Sequence, residues 1–367
     1  MAAGEVPSRR PAPRASSVDV FQAHREAFRG AAERSPEQRY SWRIAERNVE
    51  VRVAGPRFAR VLERALGHLP PSCAGANALE AELWTEDETG VARPELVSRD
   101  DRNVSGEPGV ELRARSADAR YVRYERPPVV LWFDRQEGRA VGWCRSVSSL
   151  NQYERGRPLH PVFCEWLADA GLRLLHGALV VHKGAGVLLQ GAAGSGKTTA
   201  ALACAAAGLN CVGEDVLALS RRDGRWVGHG IYSTGKLDPC QLVRLPAFAA
   251  HVEAGVGADE PKLLVFAGEA LPGCFVADAE IVALAFPRVA GRVKTSATPI
   301  RGGEGLRELL AETLPLAADV HPLSVFEELA GLARDVPAFR LDLGTDLAAI
   351  PAVLAELAST SAGTVRP

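Results

Sequence analysis

The segment Gly191-Ala192-Ala193-Gly194-Ser195-Gly196-Lys197-Thr198 has the spacing G-x-x-x-x-G-K-[ST]. Those residue types suit one chemistry, the holding of a polyphosphate. Glycines let successive backbone N–H groups turn inward around phosphate oxygens. A helix that begins where the loop ends adds its positive N-terminus. Lys197 supplies a point charge for the β- and γ-phosphates, and the Thr198 hydroxyl a ligand for Mg²⁺. The chain has only five lysines, Lys183, Lys197, Lys236, Lys262 and Lys294, so a chance match is rare. Gly191, Gly194, Ser195, Gly196, Lys197, Thr198 and Thr199 are therefore the expected nucleotide-binding residues.

Glu214 and Asp215 follow seventeen positions after Lys197, at the end of the apolar run Leu209–Val212. A carboxylate pair beside a phosphate loop serves two purposes. One carboxylate holds the metal, and the other takes a proton from an attacking hydroxyl or water.

The elements that must position these residues are legible around them. Gly186–Gln190 reads as a strand entering the loop, and Lys197–Ala207 as a small-residue helix leaving it and stopping at Gly208. Gly177–Val181 and Val216–Leu219 read as further strands, and Asp223–Gly224 as a hairpin turn. Residues 161–175 carry a three-and-four apolar spacing that predicts a helix. Leu263–Phe266, Ile281–Phe286 and Phe339–Leu343 are buried strands by pattern. Ser324 to Glu327 reads as a capping box, and Asp346–Leu357 as a final helix.

Upstream, Ser41–Val53 reads as extended chain, and Pro56 opens a helix whose apolar face includes Phe58, Leu62 and Leu66. Short strands are expected at Leu79–Trp84, Val110–Arg115, Tyr121–Tyr124, Val129–Phe133 and Val141–Cys144, with a polar loop at Ser98–Gly109. Residues 1–40, rich in Pro, Ala, Arg and Ser, read as a disordered tail, with a short helix around Val18–Phe28 as the alternative.

The order His176-Gly177, strand, phosphate loop, Ala-rich helix, Gly208 and Val212-Gly213-Glu214-Asp215 resembles HPr kinase/phosphorylase, over roughly residues 160–345. It is similar too to the broader HPr-kinase-related group, where Tyr232-Ser233-Thr234-Gly235-Lys236-Leu237 and Val336–Leu341 have counterparts. Some of those relatives phosphorylate a serine of a precursor peptide in clusters for modified peptides, lasso peptides among them. The resemblance implies an α/β fold with a P-loop kinase core of the HPr kinase/phosphoenolpyruvate carboxykinase type over residues 151–367. A small α+β domain over residues 41–150 would precede it. The resemblance further implies that Glu214 is the general base, that Asp215 binds the metal with Thr198, and that His176 stands near the transferred phosphate with Lys197. Glu214 stands where the family has Asp, and it is one methylene longer. The family segment that supports HPr binding and phosphorolysis is not recognisable, so neither is expected. HPr kinases are typically hexameric, which implies a homo-oligomer.

The expected function is an ATP- and Mg²⁺-dependent kinase that phosphorylates a hydroxyl, most simply a serine on a peptide or small protein. A small-molecule kinase and a regulatory nucleotide-binding module are the alternatives. Lys236 and the group Arg288, Arg292 and Lys294 are further candidates for phosphate contacts, weighed against ordinary surface cations. Hydrophobic residues at 47% and charged residues at 24% fit an ordinary globular protein. A net charge of −2 argues against nucleic-acid binding. No apolar run is long enough for a membrane span. Seven scattered cysteines without a CxxC spacing fit reduced thiols in the cytoplasm.

Overall fold

The computed structural model describes residues 13–72, 78–107, 111–255, 261–313 and 322–363. They form a mixed α/β protein of two compact units. The first takes the described residues of Met1–Tyr40, Glu50–Ala59 and Leu79–Ser149, and the second those of Ser41–Val49, Arg60–Ala78 and Leu150–Pro367. The division differs from the expected 41–150 and 151–367, because the chain before Tyr40 groups with the first unit while 41–49 and 60–78 group with the second.

Of the two expectations for the N-terminal stretch, the helix is the one found: Ser17–Arg34 forms an eighteen-residue helix, α1, longer than the expected Val18–Phe28. A capping box starts it: the Ser16 hydroxyl accepts from the Asp19 N–H at 3.2 Å, and the Asp19 carboxylate accepts from Ser16. Val20, Phe21, Phe28 and Ala31 lie on one face and are buried against Trp84, Tyr121, Trp132 and Trp143. Residues 1–12 lie outside the described residues.

The strands Glu37–Ile44 (β1) and Arg47–Ala54 (β2) flank Ala45 and Glu46, both at positive φ. The helix Pro56–Leu66 (α2) follows, then Leu79–Thr85 (β3), Asp101–Glu107 (β4), Glu111–Ser116 (β5), Tyr121–Arg126 (β6), Val129–Asp134 (β7) and Arg139–Cys144 (β8). They form a sheet of order β1-β2-β3-β8-β7-β6-β5-β4, with β3 and β8 parallel. The segment expected as a polar loop is thus largely β4, paired antiparallel with β5. Its polar side chains suit an edge strand.

In the second unit, His160–Asp169 (α3) ends earlier than the expected 175, because Gly171 takes a left-handed turn at φ +78° and Arg173–His176 continues as a strand, β9. Next come Ala178–His182 (β10), Ala185–Leu189 (β11), Lys197–Ala206 (α4), Asn210–Gly213 (β12), Val216–Arg222 (β13) and Arg225–Gly230 (β14). Then follow Thr234–Leu237 (β15), Leu263–Phe266 (β16), Asp278–Val289 (β17), Ser296–Ile300 (β18), Gly302–Thr313 (α5), Pro322–Asp335 (α6), Ala338–Leu343 (β19) and Ile350–Ser361 (α7). The helix α6 starts at Pro322, a favourable first position, so Ser324 lies inside it and accepts from Arg173 at 3.1 Å instead of capping.

The main sheet has the order β9-β13-β14-β17-β11-β10-β12, with β19 beside β17 and β18 beside β19. Strands β11, β17 and β19 run parallel, and β10 is antiparallel to both β11 and β12. Both faces are covered, which is why the central strands read as unbroken apolar runs. Val187, Leu189, Ala283 and Ala285 pack with α4 and α7, whereas Leu188, Leu284 and Phe286 pack with α5 and α6. Strand β15 pairs with β16 in a separate small sheet. Among the described residues no helix is long and apolar enough to cross a membrane.

Candidate functional site

Strand β11 is tied at its end by the Gln190 N–H, which donates to Ala285 O at 3.0 Å. The chain then turns through residues 191–196 into α4, giving the strand–loop–helix order the motif requires. The turn depends on Gly196. It sits at φ +101°, and a Cβ there would lie 2.5 Å from Leu343 Cδ1. Ser195 N–H donates to Ala192 O at 3.1 Å, closing the loop on itself. Lys197 is buried, with its Nζ donating to the carbonyls of Gly191 and Ala192. Thr198 and Thr199 lie in the first turn of α4 beside it.

The Thr198 hydroxyl donates to Glu214 Oε1. Glu214 is 3% exposed, and its Oε2 has no hydrogen-bond partner among the described residues. Burial pushes its pKa up to about 8, and the neighbouring charge of Asp215 adds to that, against the opposing pull of the Thr198 hydrogen bond and Lys197. Strand β15 passes directly behind the carboxylate: a Cβ on Gly235 would lie 2.5 Å from Oε2. We expect Gly235→Ala to cost about 1–3 kcal/mol, read as a lowered unfolding midpoint, because the buried Glu214 carboxylate or the strand backbone must shift to make room. A melting temperature equal to that of the unsubstituted protein would show that the backbone yields freely there.

Asp215 takes φ +85°, an uncommon conformation for a residue with a side chain. Its backbone carbonyl accepts from Gly177 N–H at 3.1 Å. The side chain is more open than that of Glu214. Its Oδ1 lies 3.5 Å from His176 Nδ1 and its Oδ2 lies 3.3 Å from Arg157 Nη1.

The predicted site residues therefore converge: Thr198, next to Lys197, bonds Glu214, and Asp215 beside it meets His176. The two carboxylates take contacts opposite to those the resemblance implied. The residue facing Thr198 is Glu214, and the residue facing His176 is Asp215.

Two residues join the site that the motif did not single out together. Arg157 lies over the Tyr153 ring at 4.9 Å while it contacts Asp215. Lys236, a weaker candidate from sequence, lies 2.9 Å above the same ring. The Asn151 to Glu154 capping box, which starts the short helix Gln152–Gly156, is the one local signal for this segment. Nothing in the sequence ties it to Asp215. Arg288 pairs with Asp342, while Arg292 and Lys294 are exposed in the loop after β17.

Among the described residues no three His, Cys, Asp or Glu side chains converge as a metal cage. Mg²⁺ does not need one, since it commonly takes one or two carboxylates together with phosphate oxygens and water. The donor set here, a threonine hydroxyl and a buried carboxylate with one unpartnered oxygen, fits that habit.

No family model matches the chain, and no curated protein matches it. Among solved structures the chain is similar to the Hpr(Ser) kinase/phosphatase from Coxiella burnetii, with 14% identity, a TM-score of 0.29, and coverage of 52% of this chain and 92% of that one.

Proposed function

We propose that this chain is an ATP-dependent phosphotransferase that delivers the γ-phosphate to a hydroxyl, with a serine on a peptide or small protein as acceptor. The observation that carries the reading is the Thr198–Glu214 hydrogen bond. It couples the first turn of a helix behind a Gly-rich loop to a buried carboxylate just past the end of β12. Loop N–H groups and Lys197 hold the phosphates. Thr198 and Glu214 would hold Mg²⁺, which when bound neutralises charge on the β- and γ-phosphates. Asp215, more open and beside His176, is then the carboxylate placed to accept the proton of the acceptor hydroxyl. His176 and Arg157 fix its two oxygens from different sides.

The test uses γ-labelled ATP, Mg²⁺ and host extract separated into macromolecular and small-molecule fractions. Label on a polypeptide supports the reading. Label on a small organic molecule keeps the kinase and overturns the protein acceptor. Label found only in inorganic phosphate or in unreacted ATP overturns transfer and favours a regulatory nucleotide-binding module.

A further inference from the structure

The acidic pair, between β12 and β13, meets the phosphate loop through Thr198, whereas the ends of β17 and β19 meet it at Gly196, where a Cβ would lie 2.5 Å from Leu343 and 3.9 Å from Val289. Because β11, β17 and β19 are parallel, the segments after all three leave the sheet at the same edge. Thr198 and Glu214 mark the side of the loop toward which the reacting phosphate points. A nucleoside triphosphate laid along the loop therefore carries its base toward the opposite side, over the ends of β17 and β19.

That side is built as a firm ledge. Ala290 N–H donates to Leu343 O at 3.1 Å, Thr345 N–H to Arg292 O at 2.7 Å and Asp346 N–H to Val293 O at 3.2 Å. Gly344 N–H donates to the Thr295 hydroxyl at 3.0 Å. Two aliphatic side chains stand on this ledge in the open: Val289 is 69% exposed and Val293 is 68% exposed. Val289 borders the phosphate loop itself, its Cγ2 lying 3.9 Å from the position of a Cβ on Gly196. Arg292 and Lys294, both exposed, flank Val293. Aliphatic surface with a few cations beside a phosphate cradle is the chemistry that holds an aromatic base and its sugar.

We infer that residues 289–294 form the nucleoside subsite, with the base lying against Val289 and Val293 and the guanidinium of Arg292 available to stack on it. This inference rests on the phosphate-loop reading above, and the test separates the two. Binding of ATP and of inorganic tripolyphosphate, each with Mg²⁺, is measured by calorimetry on the full chain and on the Val289→Ser/Val293→Ser double variant. The expected result is that ATP binds the unsubstituted chain more tightly than tripolyphosphate. The double variant should lose about tenfold in ATP affinity and leave tripolyphosphate affinity unchanged. Equal affinities for both ligands in the unsubstituted chain would overturn the subsite while leaving the loop. A double variant that keeps the full advantage of ATP would overturn its placement at 289–294. Absence of binding for either ligand would overturn the phosphate loop, and the subsite with it.

Discussion

Replacing Lys197 by Met is expected to lower phosphotransfer from MgATP by about 10²–10³-fold while leaving the fold intact. Met matches the unbranched stem, so the buried volume around residue 197 is kept. What disappears is the ammonium, which lies against the carbonyls of Gly191 and Ala192 at the mouth of the loop. Charge that develops on the transferred group is then left to Mg²⁺ alone on the loop side, without the ammonium. Arg at the same position is not a rescue. Its planar fork does not fit the compact space between two carbonyls that a point-like ammonium occupies. The measurement is label transfer for both variants, with circular dichroism as the control on folding. A Lys197→Met rate within a few-fold of the unsubstituted protein would remove the loop from the reaction.

Glu214→Gln carries the second large effect, and its sign reverses between stability and activity. Burial raises the carboxyl from its ordinary 4.5 to about 8, so the folded protein keeps a proton that the unfolded chain releases. Stability from the neutral form is therefore fully present below about pH 4.5 and is lost as pH rises through about 8. Gln is neutral at every pH and retains an oxygen for the Thr198 hydroxyl. The metal-free variant should melt near the unsubstituted protein at about pH 5 and above it at about pH 9. Phosphotransfer should nonetheless fall by about 10²–10³-fold, since the ionised oxygens that would hold Mg²⁺ are gone. Mg²⁺ should raise the melting temperature of the unsubstituted protein near pH 8 and leave that of the variant unmoved. Parallel melting profiles for the two proteins across this range would show that Glu214 titrates normally.

The sequence exposes the site more fully than the scaffold because the site is local. The strand, loop and helix around Gly191–Thr198 lie within one stretch of chain, and the spacing of glycines and lysine dictates their geometry. The strands that alternate between two covered faces, such as Val187-Leu188-Leu189, were also legible as apolar runs. What composition obscured was α1, expected only as the shorter alternative Val18–Phe28. Its arginines and alanines mask the spacing of Val20, Phe21, Phe28 and Ala31, and only a reading of positions recovers the buried face. The end of α3 was hidden by the opposite effect. Leu172 and Leu174 continue a helical spacing, but Gly171 redirects the backbone and Leu174 becomes part of a strand. The division of labour between Glu214 and Asp215 depends on which way two adjacent side chains turn. That follows from the positive φ at 215 and from the passage of Gly235 behind Glu214, both set by distant parts of the chain.

The backbone at Asp215 has a consequence for how this protein responds to selection. A left-handed conformation costs a residue with a Cβ on the order of 1 kcal/mol, and glycine would escape that cost. Variants chosen for heat resistance alone should therefore accumulate glycine at 215 and discard the carboxylate. Variants chosen for phosphate transfer should keep aspartate and gain their heat resistance elsewhere. Position 215 is where durability and chemistry compete for the same residue.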